Sequence, residues 1–286
     1  MVRWSARSAR RPADRADRAN GRIPRLILDI QFNQGALHWA ALEARAQAAE
    51  TAGFGAVWVF DHLAGVTLRG DHMFEAFTLL GALAASTQTI GLGTMVANVN
   101  NRTPAVLALA AASVDAIAGR RFHLGIGSGA APGTRWATEM HAVGQSVATR
   151  AADRHAALEH VLDTLERLWS PARGPELMTF PLPHRRPPVI VGAGGIELAV
   201  IAGRRASGIN VQWEHPRREE LLAAAQAASG DRNDFLLTAW TTWDDSILDP
   251  DHPTRRAAAA RGIARLVLLS SADVTPEQIA RHTVNG

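Results

Sequence analysis

Short apolar runs of strand character alternate with helix-forming stretches, and this alternation constrains the fold more than any other feature of the sequence. The runs that we predict as strands cover residues 26–30, 56–60, 89–96, 121–127, 188–194, 208–213, 235–240 and 265–270. The stretches that we predict as helices cover residues 38–53, 72–87, 103–119, 147–169, 195–206, 217–228, 253–262 and 275–282. Strands that alternate with helices indicate a parallel sheet with helical crossovers.

Eight such units within 286 residues predict an α/β fold of the (β/α)8 TIM-barrel type. A doubly wound open sheet is the structural alternative, because it has the same alternation of strands and helices. Residues 170–187 are rich in Pro, and we predict an extended loop there.

Composition excludes several classes of function. The chain has no Cys and no Lys, so all 30 of its basic residues are Arg. Without Cys it can form no disulfide, no thiolate nucleophile and no Cys-based metal site, which fits a cytoplasmic location. No apolar run approaches the roughly 18 residues of a membrane-spanning helix, so we expect no membrane association.

The beginning of the chain is strongly basic and polar. Residues 1–25 hold eight Arg and two Asp, whereas the rest of the chain has slightly more acids than Arg. The body therefore offers no basic face for nucleic acid. Residues 1–22 lack apolar periodicity, which predicts a disordered basic extension, with a docking tail as the alternative. No apolar region follows Arg10 and Arg11, so we do not expect an export signal.

The second predicted strand ends in an acid and a histidine. The run VWVF is followed directly by Asp61 and His62. Active sites of TIM barrels lie at the carboxyl ends of the strands, so this pair is placed for chemistry. A histidine can move a proton near neutral pH, and a carboxylate can fix its tautomer or bind a polar ligand edge. A simple turn with a helix-capping residue is the alternative.

Four further predicted strands end in polar or Gly-rich sequence on the same face. These ends are TMVANVNN (94–101), GIGSGAAPG (125–133), GAGG (192–195) and VQW (211–213). The GAGG stretch precedes a helix, and backbone amides at a helix N-terminus bind phosphate, although loop packing is the alternative. The GIGSG stretch indicates either a plain turn or a close approach of the backbone to a ligand. We find no metal-binding pattern.

Three long stretches resemble the bacterial luciferase-like flavin superfamily. They begin at Asp61, Asn101 and Pro187, and they contain EAFTLLGALAASTQTIGLGTMV, NRTPAVLALAAASVDAIAGRRFHLGIGSG and PPVIVGAGGIELAVIAGRRASGINVQW. The Asp-His dipeptide after the second strand is similar to the branch that uses the deazaflavin coenzyme F420. The resemblance implies a single luciferase-like TIM-barrel domain over residues 23–286, with the cofactor bound at its carboxyl face.

The resemblance also implies roles for individual residues. A non-prolyl cis peptide between Met95 and Val96 is implied to lie against the central ring of the cofactor. His62 is implied as the catalytic residue, near the reacting carbon. The residues implied to bind the cofactor are Asp61, Met95, Val96, Ala97, Asn98, Ser128, Gly129, Ala193, Gly194, Gly195 and Gln212.

The function implied by the resemblance is that of an F420-dependent oxidoreductase, which transfers a hydride between the deazaflavin and a small organic substrate. A homodimer is implied as well. An FMNH2-dependent monooxygenase, with FMN as cofactor, is one alternative, and a non-catalytic cofactor-binding relative is another. Ala130 stands where the sugar-phosphate dehydrogenases of the superfamily have Glu, and the chain has no Lys for a substrate phosphate. We therefore do not expect a sugar-phosphate substrate.

Overall fold

The computed structural model describes residues 25–119, 121–281 and 284, which form a closed barrel of eight parallel strands. Strands adjacent in the sequence are adjacent in the barrel, and the first strand pairs with the last, which excludes the open sheet. The strands are β1 (Ile27–Gln31), β2 (Ala56–Val59), β3 (Gly91–Asn98), β4 (Phe122–Gly127), β5 (Val189–Gly192), β6 (Gly208–Gln212), β7 (Leu236–Thr242) and β8 (Arg265–Leu269). The predicted TIM barrel is confirmed.

Helices connect the strands around the outside of the barrel. They are α1 (Trp39–Thr51), α2 (Ala76–Ser86), α3 (Pro104–Ala118), α4 (Thr138–Ala142), α5 (Ala151–Leu168), α6 (Ile196–Arg205), α7 (Arg218–Ser229), α8 (Pro253–Ala260) and α9 (Pro276–Ala280). In the part of the chain that the structure describes, no helix is both long and apolar enough to cross a membrane. The extension predicted over residues 1–22 lies outside the described residues.

Local capping chemistry explains where several helices begin. Thr103 caps α3 by accepting the N–H of Val106, Pro104 occupies the first turn, and Gly119 ends the helix with φ at 58°. The helix predicted from residue 72 was wrong at its start, because Glu75 accepts the N–H of Thr78 and caps α2 there. Helix α4 was not predicted, and the loop expected over residues 170–187 contains one short 3-10 turn.

Two hydrophobic cores hold the barrel together. The larger core fills the layer between the strands and the helices. The smaller core lies inside the barrel and consists of Ala56, Trp58, Met95, Ile190 and Val267. Successive residues of a strand point to opposite sides, so one set of apolar residues packs inward and the next packs against the helices.

The amino end of the barrel is closed by a buried ion pair. Both carboxylate oxygens of Asp29 accept hydrogen bonds from Arg265, at 2.6 and 2.7 Å, and Trp58 Nε1 donates to the same carboxylate at 2.9 Å. Complete burial raises the pKa of the Asp29 carboxyl, although Arg265 and Trp58 oppose the rise. His123 lies against the ring of Trp58, and burial together with the charge of Arg265 keeps its pKa well below the usual value.

Candidate active site

A cavity of about 450 Å³ opens at the carboxyl end of the barrel. Residues at the ends of seven of the eight strands, or just beyond them, line it, as expected for a TIM-barrel site. From the sequence-predicted set, Met95, Val96, Ala193, Gly194 and Gln212 line this cavity. The other lining residues are Gln31, Phe60, Trp136, Gly192, Asn210, His215, Trp240 and Leu269.

The end of β3 projects into the barrel at Val96. The peptide bond between Met95 and Val96 is cis, as the resemblance implies. The Val96 side chain occupies notches left by glycines of the neighbouring strands: a Cβ added to Gly127 or Gly192 would lie 2.6 or 2.9 Å from its methyl groups. Gly127 of β4 and Gly192 of β5 therefore make room for Val96, and the choice between a plain turn and a close ligand approach at GIGSG stays a prediction.

His62 is held by a buried glutamate from the connection after β4. Its Nδ1 lies 2.8 Å from Oε1 of Glu139, whose Oε2 accepts the backbone N–H groups of Leu63 and Ala64 at 3.0 and 3.1 Å. The Glu139 side chain is 2% exposed and that of His62 is 19% exposed. A carboxylate beside Nδ1 fixes the proton there and leaves the lone pair on Nε2. In the neutral ring, Nε2 is thus the atom that can accept a proton.

His62 does not line the cavity itself but contacts two residues that do. Its ring stacks on Trp136 with centroids 5.2 Å apart, and it meets Phe60 at 5.8 Å. The two aromatic side chains give the histidine an apolar surrounding on the cavity side. Its Nε2 has no hydrogen-bond partner among the residues that the structure describes.

Asp61 points away from the cavity into an ion pair. Its carboxylate accepts hydrogen bonds from two Arg102 nitrogens, at 2.7 and 2.8 Å, and from the backbone N–H of Asn98 at 2.9 Å. Arg102 also donates a hydrogen bond to the Glu75 carboxylate at 2.7 Å. Burial disfavours the charge of Arg102, but the hydrogen bonds and charges of Asp61 and Glu75 outweigh it and raise the pKa of the guanidinium. Asp61 therefore joins the ends of β2 and β3.

The remaining predicted residues, at the end of β3 and just beyond β4, do not line the cavity. The Asn98 side chain accepts the N–H of Asn100, and Asn100 Nδ2 donates to the backbone oxygen of Ser128 at 3.3 Å. Gly129 has φ at 85°, and a Cβ there would collide with Asn100. Ala97 is fully buried in β3. These residues fix the loops around the site.

The N-terminus of α6 lies beside the cavity wall formed by Ala193 and Gly194. Gly195 is the N-cap, and no side chain caps its helix, so the first backbone N–H groups have no intrahelical partner. A Cβ added to Gly194 or Gly195 would meet no atom within 4 Å. Open space, free N–H groups and the helix dipole together suit an anion such as phosphate.

One buried polar atom in the cavity wall has no partner in the described part of the chain. Gln31 is fully buried and donates through Nε2 to the Met95 backbone oxygen at 2.8 Å, whereas its Oε1 accepts no hydrogen bond. A buried acceptor without a donor costs free energy unless a ligand or water supplies one. Gln31 Oε1 therefore suits an N–H or O–H group of a bound ligand.

Sequence reasoning missed Gln31, Trp136, Glu139 and His215. Glu139 contacts His62 across 77 positions of sequence, and no local pattern connects the two. Among residues 25–119, 121–281 and 284, no group of three His, Asp or Glu side chains is arranged to hold a metal ion.

The luciferase-like monooxygenase family matches residues 27–246, and the chain belongs to this family. The match covers the barrel from β1 to just beyond β7, which confirms the luciferase-like resemblance drawn from the motifs.

Several relatives are named as F420-dependent, in agreement with the branch predicted from the Asp-His dipeptide. The F420-dependent hydroxymycolic acid dehydrogenase of Mycobacterium tuberculosis is 32% identical over 204 residues, which are 66% of this chain and 55% of that protein. The F420-dependent glucose-6-phosphate dehydrogenase of Beutenbergia cavernae is 30% identical over 253 residues, 80% of this chain and 70% of that enzyme. The chain thus spans between about half and 70% of their lengths.

Solved structures agree with the fold. An F420-dependent secondary alcohol dehydrogenase in complex with an F420-acetone adduct superposes with a TM-score of 0.68 at 14% identity, covering 89% of this chain and 96% of that one. The F420-dependent tetrahydromethanopterin reductase of Methanopyrus kandleri superposes with a TM-score of 0.60 at 15% identity, covering 90% and 96%. At these identities the likeness concerns the barrel alone.

Proposed function

We propose that this chain is an F420-dependent oxidoreductase that transfers a hydride between the deazaflavin and a small organic substrate. The observation that carries the proposal is the Glu139–His62 pair beside the cavity at the carboxyl end of the barrel. The names of the relatives support the cofactor, because two of them are F420-dependent dehydrogenases. We further propose a cytoplasmic location, supported by the lack of cysteine.

The residues around the cavity fit this cofactor. Gln31 Oε1 offers an unused acceptor to a ring N–H, and Val96 provides an apolar surface for a flat ring. The free N–H groups of α6 beside Gly194 and Gly195 suit the cofactor phosphate. When bound, the deazaflavin supplies a ring carbon that accepts or donates a hydride, and the protein supplies position.

His62 moves the proton that accompanies the hydride. Because Nδ1 donates to Glu139, the free Nε2 accepts a proton from a substrate hydroxyl when the substrate is oxidised, and returns it in the reverse direction. Glu139 stabilises the resulting imidazolium through charge and geometry. Phe60 and Trp136 give the histidine an apolar surrounding on the cavity side, which strengthens its interaction with Glu139.

Replacing His62 and Glu139 tests this role. His62→Ala is expected to lower kcat by a factor of about 10²–10⁴, the usual contribution of a positioned acid or base. Glu139→Gln keeps a neutral hydrogen-bond acceptor and is expected to cause a smaller loss. The F420 dissociation constant of both variants, followed by fluorescence, should stay near the wild-type value. Wild-type kcat in His62→Ala would remove His62 from the mechanism.

Gly194→Val tests the phosphate site. The change introduces a side chain into open space, so the free protein should keep its melting temperature. Affinity for F420 should fall about tenfold or more, as for the loss of one hydrogen bond to a charged group. Gly194→Ala adds only a methyl group, and it is the matched variant in which the loss of F420 affinity should be smaller. Unchanged affinity in Gly194→Val would refute the phosphate cradle.

We also propose that the protein is a homodimer formed through α2 and α3. The only charged residue of these two helices is Asp115, which is buried. Val106, Leu109 and Ile117 form an outward stripe on α3, with 48, 44 and 59% of their surface exposed. In a dimer with two-fold symmetry, the same uncharged face of a second copy would cover this stripe.

Light scattering after gel filtration tests the dimer. Ile117→Glu, combined with Leu109→Glu, is expected to give a monomer, because each charge would be buried without a partner. Met178→Glu is the matched control, since Met178 is as exposed as Ile117 but lies outside α2 and α3. A wild-type monomer would contradict the proposal.

A further inference from the structure

Strand β3 has one residue more than its neighbour β4 at the point where it reaches the cavity. Thr94 pairs with Leu124 and Ala97 pairs with Ile126, so three steps along β3 match two steps along β4. A bulge of this kind re-aims a side chain. The side chain of Val96 lines the cavity, whereas the next residue, Ala97, is fully buried.

Glycines of two neighbouring strands hold the two methyl groups of Val96. A Cβ added to Gly127 of β4 would lie 2.6 Å from Cγ2 of Val96, and one added to Gly192 of β5 would lie 2.9 Å from Cγ1. A β-branched side chain is stiff about its first torsion angle, so both methyl groups are held at once. Val96 thus sits in a notch that β4 and β5 form together.

Space, rather than backbone conformation, requires glycine at both positions of the notch. Neither Gly127 nor Gly192 has a positive φ, in contrast to Gly129. The atom that an added Cβ would overlap is in both cases a methyl carbon of Val96, and the Ile126 backbone oxygen is 3.8 Å from the Cβ position of Gly192. A side chain in the notch would therefore act by displacing Val96.

The displacement would be directed into the cavity. Carbon atoms in contact lie about 3.5–4.0 Å apart, so a methyl group at Gly127 would move Val96 by about 1 Å, and one at Gly192 by less. On its inner side Val96 packs against the smaller core of the barrel. Close-packed interiors have no free space to absorb such a shift. The free side of Val96 is the one that lines the cavity.

Building on the proposed function, we propose that Gly127 and Gly192 are positioning residues for the ring of the cofactor. They keep Val96 back in the barrel wall and thereby set the depth of the cavity where a flat ring is to lie. A flat ring is rigid and cannot adapt to a wall that has moved toward it. Gly127 does not line the cavity itself, so its effect on a bound ring would pass through Val96.

The affinity for F420, followed by fluorescence, tests the positioning role. Gly127→Ala is expected to lower this affinity about tenfold, an effect of overpacking by one methyl group, and Gly192→Ala should lower it less. Gly91→Ala is the matched control, because it adds the same methyl group at the start of β3, 2.8 Å from the Gly55 backbone oxygen at the closed end. The control should lower the melting temperature and leave the F420 affinity near the wild-type value.

Removing the methyl groups of Val96 separates this role from a general loss of packing. A Cβ at Gly127 lies 3.6 Å from the Cβ of Val96, which is ordinary contact, so Val96→Ala removes the overlap. Adding Gly127→Ala to Val96→Ala should therefore change F420 affinity by less than about twofold, because the two positions act through one contact. A merely structural effect of Gly127→Ala would lower the affinity equally in both backgrounds.

A crystal structure of Gly127→Ala gives a readout that does not depend on the cofactor. We expect the methyl groups of Val96 to be displaced toward the cavity. Val96 in its original place would contradict the proposal. If Gly127→Ala fails to fold, Gly192→Ala, with its smaller overlap, and the double variant with Val96→Ala provide the same comparison.

The outcomes separate the positioning role from the assignment of the cofactor. If the wild type binds F420 and Gly127→Ala binds it equally well, only the positioning role is overturned. A preference for FMN overturns the F420 assignment, whereas the same comparisons made with FMN still test the two glycines. A wild type that binds neither cofactor overturns both proposals.

Discussion

The two ends of the barrel each contain a buried carboxylate paired with arginine, but they differ in what is left unpaired. At the closed amino end, the side chains of Asp29 and Arg265 are 0 and 4% exposed. At the open carboxyl end, those of Asp61 and Arg102 are 2 and 12% exposed, and Arg102 is shared with Glu75. Both pairs join neighbouring parts of the barrel, and neither lines the cavity.

Unused hydrogen-bonding capacity is concentrated at the open end, although Nδ1 of the buried His123 at the closed end also has no partner among the described residues. Gln31 Oε1, His62 Nε2 and His215 Nε2 have no partner among the described residues, and all three lie at the cavity or next to it. At the closed end, the Asp29 carboxylate is fully used within the protein. Charge at the closed end thus supports the fold, whereas unused donors and acceptors at the open end suit a ligand.

The largest effect on stability is expected at the closed end. Arg265→Met leaves the Asp29 carboxylate buried without its cation, and should cost about 3–5 kcal/mol of unfolding free energy. Arg102→Met should cost less, because Arg102 and Glu75 are 12 and 48% exposed, so water reaches this pair more readily than the pair at the closed end. Urea unfolding measures both. The double variant Asp29→Leu with Arg265→Met should recover much of the loss. A greater loss of unfolding free energy in Arg102→Met than in Arg265→Met would show that the ion pair at the open end contributes more to stability.

A smaller effect, dependent on pH, is expected from His123. Its pKa is depressed in the folded state, so below the unfolded value of about 6.5 the unfolded chain binds a proton that the folded chain does not. Stability should therefore fall as the pH falls below about 6.5, by up to roughly 1.4 kcal/mol per unit from this group. His123→Phe keeps a ring beside Trp58 and should flatten the profile between pH 7 and pH 5. If stability changes with pH in parallel in the wild type and in His123→Phe, His123 is excluded as the source of the pH dependence.

The smallest effect on stability, and a selective effect on binding, is expected from Gln31. Gln31→Leu loses one hydrogen bond to the Met95 oxygen but also removes the unpaired Oε1, so the net change should be within about 1 kcal/mol. F420 affinity should fall about tenfold, as for one lost hydrogen bond. Calorimetry and fluorescence titration measure the two quantities. A stability loss with unchanged affinity would show that Gln31 serves the fold.

The sequence predicted the barrel better than it predicted the site. Eight bounded apolar runs were enough to order the strands, because each run is local and its crossover helix follows it. Three of the polar strand ends, at 94–101, 192–195 and 211–213, contribute residues to the cavity at the carboxyl face. Glu139 was missed because it lies in a five-residue helix without apolar periodicity and meets His62 only in the folded chain. The direction of the Asp61 side chain likewise depends on Arg102, which local pattern does not link to it.

Two glycines show the same limit of prediction from local sequence pattern. Gly127 and Gly194 are each the last residue of a predicted strand. In the structure, Gly127 makes room for Val96, whereas Gly194 faces open space beside a helix N-terminus. Only the neighbours in space separate a packing glycine from a candidate ligand-binding one.

A fluorescence titration of the purified protein with F420 and, separately, with FMN tests the proposed cofactor site. We expect saturable binding of F420 and much weaker binding of FMN. A preference for FMN would contradict the F420 assignment and favour a flavin-dependent monooxygenase. Binding of neither cofactor would contradict the central claim that the unpaired groups at the open end of the barrel form a cofactor site.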